Sequence, residues 1–352
     1  MQKRKRRLLI VTTSQFGYLI DTYKYCQYCQ NEFEITYLCW DYGKTKLHLS
    51  NTDVIYVSRN GSLPQRNFRL LLAVHREIAR GYDVVFCPYV RGISLVKLFN
   101  IHQKFVFDVR TLSVQTNLLK RRIYNLFLNL ESLPFKYVTT VSQGVANQLF
   151  FKKSELLPLG ADPIIRQKVH TGKFNLLYVG TLQGRNIIEA VKGFKSYIDH
   201  YERSDLHFII VGDSPDGELE EINRFVQHKK LQDVVTLTGR IKHQELEKFF
   251  NIASIGVSFI PMTKWYQHQP PTKTYEYLLA GLPVLATRTF ENAKVINESN
   301  GVLISDDAKG FFRGLETIIK NFGNYTNKPP ESYDRFTWAY IAQNNFRNLI
   351  AD

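Results

Sequence analysis

The segment PPTKTYEYLLAGLPVLAT, Pro270–Thr287, joins a helix to a buried strand. Two prolines suit the approach and first turn of a helix, so we predict that a helix begins near Thr272. It should end near Gly281, because glycine accepts the left-handed conformation that caps many helices. At about 100° per residue, this helix has one apolar and one polar stripe. The apolar stripe contains Tyr275, Leu278 and Leu279, and the polar stripe contains Thr272, Lys273, Glu276 and Ala280.

The polar stripe places a hydroxyl, an ammonium and a carboxylate beside the N-terminus of this helix. Unpaired N–H groups and the helix dipole favour an anion at such a position. The alternative is an exposed Lys273–Glu276 pair, which would stabilise the helix by only about 0.2–0.5 kcal/mol. The segment alone does not decide between an anion site and a surface ion pair.

The 352-residue chain is long enough for two domains, and 44% of its residues are hydrophobic. Its net charge of +14 is unevenly spread. Residues 1–166 carry 24 Lys/Arg and 11 Asp/Glu (+13), whereas residues 167–352 carry 22 and 21 (+1). We expect the basic half to face an anionic partner, which is a nucleic acid, a phospholipid surface or a phosphorylated substrate.

The chain begins MQKRKRRLLIVTTSQFG, in which a basic tail precedes a short apolar stretch, Leu8–Val11. A signal peptide needs about 7–15 apolar residues and a membrane span about 18, so we expect neither. With four cysteines and no export signal, we expect a cytoplasmic protein with reduced thiols. Cys26 and Cys29 have C-x-x-C spacing without a second pair, so we expect them to pack in the core.

Short buried strands alternate with helices along the chain, apart from a stretch rich in proline, glycine and charge after Pro158. Two successive β-α-β series predict an α/β fold with two doubly wound parallel-sheet domains. Ligands of such folds bind beyond the carboxyl ends of the strands, so the loops there are candidate sites. In the second series we predict helices from Asn186, Glu218, Gln244 and Thr272.

Two loops of the second series carry glycine directly after a strand. In YVGTLQGRN, Gly180 and Gly184 allow the backbone to approach a ligand, and Arg185 precedes the next helix. This loop fits a phosphate site or a simple strand-to-helix turn. In IIVGDSPDG, Gly212 is followed by Asp213, which suits phosphate less. Neither loop matches G-x-G-x-x-G or the P-loop, so dinucleotide and Walker sites have no motif support.

The order of these loops resembles the nucleotide-sugar half of retaining glycosyltransferases of family 4 type, the group 1 glycosyltransferases. The resemblance runs from roughly Phe174 to Ile319 and is weaker at VTTVSQGVANQL, LPLGAD and DRFTWAYIAQNNF. It implies the GT-B fold, in which two Rossmann-like domains face each other across a cleft. It predicts an acceptor domain over residues 1–165, a nucleotide-sugar domain over 166–330, and a C-terminal helix over 331–352 that crosses back to the first domain.

The resemblance also implies roles in the donor site. Arg185 and Lys273 match basic residues that meet the donor diphosphate, where Thr272 can join them. Fixed cations there would stabilise the charge that grows on the leaving diphosphate. Glu276 matches the glutamate that accepts hydrogen bonds from the ribose hydroxyls, and Gly239–Ile241 matches the backbone that contacts the base. The predicted donor-binding residues are Gly180, Thr181, Arg185, Gly212, Arg240, Ile241, Thr272, Lys273 and Glu276.

Two positions depart from the family pattern. Many members carry E-x7-E, but the position of its first glutamate is occupied by His268 in this chain. We expect either that His268 bonds a donor hydroxyl or that it lies on a mobile loop. Many members also place a histidine after a first-domain strand, where this chain has Asp108 and Arg110. Asp108 assists the acceptor hydroxyl or forms a structural pair with Arg110. The predicted catalytic residues are Arg185, Lys273, Asp108 and His268.

An amphipathic segment, NLLKRRIYNLFLNLESLPF, lies in the basic half. Together with the KRKRR tail it would rest on an anionic bilayer, or it is an ordinary core helix with a solvated basic turn. Its apolar stripe contains Leu119, Ile123, Leu126, Phe127 and Leu130. The residues assigned to the acceptor or membrane side are Gly17, Arg110, Lys120, Arg121 and Arg122.

We therefore predict a retaining, hexosyltransferase-like enzyme at the inner face of the membrane. It would move a sugar from a UDP- or GDP-sugar to a saccharide or lipid-linked acceptor in surface polysaccharide or glycolipid biosynthesis. We expect no cofactor and no metal, because the sequence has no D-x-D motif and no clustered histidines. One alternative, suggested by His268 and Asp108, is a sugar-nucleotide-binding scaffold without catalysis. Another is a nucleic-acid-binding protein, but no motif supports it and we expect no nucleic acid.

Overall fold

The computed structural model divides the chain into two compact units. It describes residues 4–115, 117–150, 153–164, 167, 169, 171–242, 245–325 and 329–351. Unit 1 contains the described residues of Met1–Gly160 and Trp338–Asp352, and unit 2 contains those of Ala161–Thr337.

Unit 1 is built on a seven-stranded parallel sheet. Its strands are β1 (Arg6–Thr12), β2 (Phe33–Asp41), β3 (Thr52–Ser58), β4 (Val84–Pro88), β5 (Phe105–Val109), β6 (Tyr137–Thr140) and β7 (Glu155–Leu156). They pair in the order β3-β2-β1-β4-β5-β6-β7. Its first five helices are α1 (Ile20–Cys29), α2 (Leu63–Ile78), α3 (Ile93–Phe99), α4 (Leu118–Ser132) and α5 (Gln143–Ala146).

Unit 2 is built on a six-stranded parallel sheet. Its strands are β8 (Phe174–Val179), β9 (Leu206–Val211), β10 (Val235–Leu237), β11 (Ile255–Ser258), β12 (Val284–Thr287) and β13 (Gly301–Ile304), in the order β10-β9-β8-β11-β12-β13. Its helices are α6 (Ile187–Tyr201), α7 (Glu218–His228), α8 (Glu247–Ile252), α9 (Thr272–Leu279), α10 (Phe290–Ala293) and α11 (Ala308–Lys320). Two 3-10 turns follow, Phe322–Asn324 and Glu331–Phe336.

The chain ends in unit 1, with α12 (Trp338–Ile341), a π-helical turn (Ala342–Phe346) and α13 (Arg347–Ala351). Phe346 stacks on Tyr25 of α1, with ring centroids 4.1 Å apart. This segment and α1 cover one face of the first sheet, and α2, α3 and α4 cover the other. Because both faces are buried, the strands are continuous apolar runs rather than alternating ones.

The helix predicted from Thr272 is α9, and its C-terminal Gly281 has a φ of +67°. The predicted apolar stripe of this helix is buried, with Tyr275, Leu278 and Leu279 each less than a tenth exposed. α6 and α7 begin within one residue of the predicted starts. Gln244, the predicted start of another helix, lies outside the described residues; α8 begins at Glu247.

All four cysteines are unbonded and buried, and Cys26 and Cys29 pack in the core on the α1 face, as predicted. In the described part of the chain, no helix combines the length and the apolar character needed to cross a bilayer.

Candidate functional site

The candidate site lies at the carboxyl edge of the sheet in unit 2, where the loops after β8, β9 and β10 approach one another. The N–H of Gly212 donates to Gly239 O at 3.0 Å, and that of Gly180 to Val211 O at 2.9 Å. A Cβ on Gly212 would lie 1.9 Å from Gly180 O, so only glycine fits there. The strand order reverses between β8 and β11, and ligands of doubly wound sheets bind at such a switch point.

Lys273 reaches this edge from the first turn of α9. Its Nζ lies 3.7 Å from the centroid of the Tyr178 ring, and Tyr178, in β8, is fully buried. The Tyr178 hydroxyl donates to Thr181 O at 2.7 Å, which fixes the ring in place. A Cβ on Gly180 would lie 3.0 Å from Nζ, so glycine makes room for the ammonium. This Nζ is buried and has no hydrogen-bond partner among the described residues.

The electrostatics of the site disfavour the charged form of Lys273 when no anion is bound. Burial lowers the pKa of Lys273 well below its ordinary value, and the positive charge of Arg185 lowers it further. Glu276, one turn along α9, raises the pKa of Lys273 but has the smallest effect of the three. An anion between Arg185 and Lys273 would favour the ammonium.

Arg185 lies just before α6 and is half-buried. Its guanidinium stands over the ring of Tyr266, 4.4 Å from the centroid. Tyr266 also closes over the glycine loop, since a Cβ on Gly184 would lie 3.2 Å from its hydroxyl oxygen. The segment around Tyr266 therefore forms part of the surroundings of the predicted diphosphate site.

Carboxylates from the loop after β9 and from the first residue of α7 already accept hydrogen bonds from the backbone of the glycine loop and the start of α6. Glu218 accepts from the N–H groups of Arg185 at 3.2 Å and Ile187 at 2.5 Å. Asp216 accepts from the N–H of Gly184 at 3.2 Å. Burial raises the pKa of Glu218, and these backbone bonds oppose the shift. The sequence left open whether this loop is a phosphate site or a strand-to-helix turn, and the geometry favours the turn. The Arg185 side chain, rather than the loop backbone, is available to an anion.

The other predicted donor residues lie around the same edge. Thr272 is the first residue of α9, and the preceding Pro271 provides no side-chain cap. Glu276 is half-buried one turn further along. After β10, Arg240 is exposed, whereas Ile241 packs partly into the core beside α8 and α9. Thr181 is exposed after β8.

His268 stacks on Phe290 of α10, with ring centroids 4.9 Å apart. The neighbouring Gln267 accepts from the N–H of Phe290 at 3.0 Å through its side chain. It also accepts from the N–H of Glu291 at 3.3 Å through its carbonyl. His268 is thus held on a segment that is hydrogen-bonded to α10, and its role in catalysis stays a prediction.

Asp108 and Arg110 belong to unit 1 and form a buried cluster there. Asp108 is 0% exposed; one carboxylate oxygen lies 2.6 Å from Arg110 Nε and the other accepts from Thr139 Oγ1 at 2.6 Å. Arg110 Nε is also 2.9 Å from Asp21. Burial raises the pKa of Asp108 to about 6, against the opposing effect of Arg110. An enclosed carboxylate of this kind favours the structural pair with Arg110, and the catalytic role of Asp108 stays a prediction.

Two further features of unit 1 concern the predicted acceptor side. Gly17, after β1, has a φ of +87°, and a Cβ there would lie 2.4 Å from Leu47 Cδ1. The stripe of α4 is not a core face: its five side chains are 44–67% exposed, next to Lys120, Arg121 and Arg122. The interpretation of α4 as an ordinary core helix was therefore wrong, because its buried positions are Leu128, Asn129 and Ser132.

Three contributors to the donor edge were missed from the sequence, namely Tyr178, Tyr266 and Glu218. Tyr178 looks like any core residue of a buried strand. Glu218 begins the acidic run ELEE, which is typical of a helix N-terminus. The run does not indicate which other loop the Glu218 carboxylate contacts. Among the described residues, no group of three or more His, Cys, Asp or Glu side chains is placed to hold a metal ion.

Residues 173–321 match the family model of glycosyl transferases group 1. Spore coat protein SA of Bacillus subtilis (strain 168) is 25% identical over 191 residues, 49% of this chain and 48% of that protein. The chain thus spans about half the length of the curated relative that it matches. The resemblance stated from the sequence is confirmed for this domain.

Solved structures resemble the chain at lower identity. Sucrose-phosphate synthase from Thermosynechococcus elongatus has a TM-score of 0.77 at 16% identity, covering 99% of this chain and 100% of that one. HepE of Anabaena in complex with UDP has a TM-score of 0.76 at 14% identity, with the same coverage. The predicted fold class is confirmed: both units are parallel-sheet α/β units, and these neighbours are GT-B glycosyltransferases.

Proposed function

We propose that this protein is a retaining glycosyltransferase that uses a nucleoside-diphosphate sugar and a saccharide or lipid-linked acceptor. The observation that carries the proposal is the buried ammonium of Lys273 beside Arg185, which has no hydrogen-bond partner in the described part of the chain and lies in a domain that matches the group 1 family. UDP is the first candidate nucleotide, because HepE was solved with UDP and with UDP and glucose. GDP is the second candidate.

In the proposed reaction, the bond between the sugar C1 and the diphosphate oxygen breaks, the acceptor oxygen bonds to C1, and the acceptor proton passes to the leaving diphosphate. Negative charge grows on the leaving diphosphate. Lys273, Arg185 and the N-terminus of α9 would stabilise that charge more in the transition state than in the bound donor. These groups would make a divalent metal unnecessary. Glu276 would accept hydrogen bonds from the ribose hydroxyls, and retention rests on the family resemblance.

We further propose that unit 1 meets an anionic membrane through the outer helix face, which is the exposed side of α2, α3 and α4. These helices pack on one face of the sheet, so their outer sides lie together. Their exposed large apolar residues are Leu63, Phe68, Leu95, Leu98, Phe99, Leu118, Leu119, Ile123, Leu126, Phe127 and Leu130. Exposed apolar patches of this extent are typical of interaction surfaces.

The charges on the outer helix face fit an anionic bilayer. The three helices carry seven Lys/Arg and two Glu, Glu77 and Glu131. Glu77 is buried and accepts from the Tyr82 hydroxyl at 2.7 Å. Glu131 accepts from the N–H of Gly92 at 2.6 Å and the hydroxyl of Ser94 at 3.3 Å. Because both carboxylates are committed to internal bonds, the charges directed outward are positive.

The donor site is tested by measuring the melting temperature with UDP, GDP and ADP, with and without EDTA. We expect one diphosphate to stabilise the protein by mass action, and EDTA to leave the shift unchanged. Turnover of the matching nucleotide sugar with an acceptor, followed by NMR of the anomeric proton, would test transfer and retention. Binding without turnover would favour the scaffold, and no shift with any diphosphate would refute the donor site.

The role of Lys273 is tested by Lys273→Ala against Lys309→Ala, a matched change at an exposed lysine of unit 2. Lys273→Ala should lower kcat/KM more than it lowers donor affinity, because the Lys273 ammonium contacts a diphosphate whose negative charge grows in the transition state. Lys309→Ala should change neither. Equal losses of affinity and kcat/KM for Lys273→Ala would indicate uniform binding instead.

A further inference from the structure

A second group of basic side chains lies in unit 1, at the amino-terminal edge of its sheet. In the sequence this group is far from the donor residues. A cavity of about 420 Å³ opens between the turn that joins α3 to β5 and the turn that joins α4 to β6. Its lining includes Lys97, Lys104, Lys136 and His102, and none of the described residues contributes a carboxylate to it. We call it the lysine pocket.

The ammonium groups of the lysine pocket are held by neutral partners. Lys104 Nζ lies 4.9 Å, and Lys136 Nζ 5.2 Å, from the centroid of the Tyr137 ring. Lys104 also donates to Leu349 O at 3.3 Å. Lys97 donates to the carbonyls of Ile101 at 2.7 Å and Gln103 at 2.9 Å. Rings and carbonyls orient these cations without neutralising them, so the pocket keeps its positive charge for an anion.

The rim of the pocket is apolar and continues the outer helix face. Leu98 and Ile101 line the cavity, yet they are 57% and 64% exposed. Phe99, between them in the chain, is 80% exposed. Three large apolar side chains around a group of cations match the arrangement of a phospholipid, whose phosphate lies just above its acyl chains.

We propose that the lysine pocket binds the phosphate group of an anionic lipid while Leu98, Phe99 and Ile101 enter the acyl region. The proposal rests on the proposed membrane association of unit 1 and adds a defined lipid site to it. In the bound state, Lys104 and Lys136 contact the phosphate, and the outer helix face supplies the surrounding apolar contact.

The test is sedimentation with phosphatidylcholine vesicles that contain phosphatidylglycerol. The variants are Lys104→Gln/Lys136→Gln and a charge-matched control in unit 2, Lys229→Gln/Lys309→Gln, with melting curves for both. We expect the pocket variant to bind roughly tenfold more weakly than the wild type, and the control less than twofold, because a basic residue acts strongly only near the surface. Lys104→Arg/Lys136→Arg should restore binding.

The outcomes separate this inference from the proposal on which it rests. If the wild type fails to sediment with any anionic vesicle, the membrane association itself is refuted. If the wild type sediments and the pocket variant behaves like its control, the association stands and the lysine pocket is not a lipid site. If glycerol 3-phosphate binds the pocket but the variant binds vesicles normally, the pocket takes a free phosphate and the lipid proposal is overturned.

Discussion

The ammonium of Lys273 lies 3.7 Å from the centre of the Tyr178 ring, in a position where no oxygen of the described residues accepts a hydrogen bond from it. The ring face stabilises a cation by about 0.5–2 kcal/mol, whereas breaking a buried ion pair costs about 3–5 kcal/mol. Because burial and Arg185 lower the pKa of Lys273, the empty site holds its positive charge weakly. A bound diphosphate would supply the missing partner.

Donor binding should therefore take up protons. A diphosphate raises the lowered pKa of Lys273, so between the pKa of the empty site and that of the complex, binding adds up to one proton. Affinity should fall as pH rises through this window, by up to tenfold per pH unit. In the same window the unfolded chain, with a pKa near 10.5, holds more protons, so the stability of the empty protein rises with pH.

Calorimetry of UDP or GDP binding, in buffers with different ionisation enthalpies, measures this proton uptake. The measurement should be made above about pH 7.5, where the terminal phosphate of the nucleotide (pKa about 6) is fully ionised. Lys273→Met should abolish the uptake while Arg185, Glu276 and Tyr178, the other groups facing Lys273, remain in place. Uptake that persists in Lys273→Met would assign the proton to another group.

The ring of Tyr178, rather than its hydroxyl, should support donor binding. Tyr178→Phe keeps the ring and removes only the 2.7 Å bond to Thr181 O, so we expect donor affinity within about threefold of the wild type. Tyr178→Leu removes the ring face, and we expect a loss of about 0.5–2 kcal/mol in donor binding. Isothermal titration of both variants decides the matter. Equal losses for Phe and Leu would make the hydroxyl the important group.

Glu276 should account for recognition of the ribose. Glu276→Gln replaces charged acceptors by a neutral amide, and we expect a loss of about 1.5–3 kcal/mol in nucleotide binding. A 2′-deoxy nucleotide provides the matched ligand. It should bind the wild type more weakly than the ribonucleotide does, whereas Glu276→Gln should discriminate little between the two. Full discrimination by the variant would place the ribose contact elsewhere.

The sequence predicts the regular parts of the fold well and the polar contacts poorly. The buried strands are evident because parallel strands with two covered faces are uninterrupted apolar runs. α1 was not predicted because IDTYKYCQYC has no clear amphipathic period, although Tyr25, Cys26 and Cys29 pack in the core. The placement of that helix depends on the distant C-terminal segment that covers it.

The donor site likewise contains some contacts that the sequence predicts and others that it does not. Lys273 and Glu276 lie on one helix, so their spacing and the helix start indicate a common face. The carboxylate cap of Glu218 on the loop before α6 joins residues more than thirty positions apart, through the pairing of β8 and β9. No local pattern predicts such a contact, and it changes the role expected of the loop backbone.

Asp108→Asn separates a structural role from a catalytic one. Removing one charge from the buried cluster should lower the melting temperature, since breaking a buried pair costs about 3–5 kcal/mol when the other charge is left uncompensated. The loss should be smaller here, because Asp21 still meets Arg110 at 2.9 Å. The folded variant should keep kcat within a few-fold of the wild type. A loss of about 10²–10⁴-fold in kcat, with a small change in stability, would support the acid–base role instead.

Membrane association should need both the charges and the apolar side chains of α4. Each basic residue near an anionic surface contributes about 1 kcal/mol, and salt screens it within a Debye length of about 10 Å at 0.1 M. We therefore expect the wild type to sediment with anionic but not neutral vesicles, and to be released as salt rises. Replacing Lys120, Arg121 and Arg122 by glutamine, together with the basic tail, should abolish sedimentation.

Insertion of apolar side chains into the bilayer can be tested separately from the charges. Leu119 and Phe127 are 67% and 49% exposed, so Leu119→Ser/Phe127→Ser should change stability little, as surface substitutions usually do. It should nevertheless weaken vesicle binding, because each buried apolar side chain adds affinity in proportion to its area. Activity on a short water-soluble acceptor should survive in both variants, since the predicted donor residues lie in unit 2. If the charge variant loses binding and the apolar variant keeps it, unit 1 adsorbs to the headgroups without insertion, and the outer helix face serves another partner.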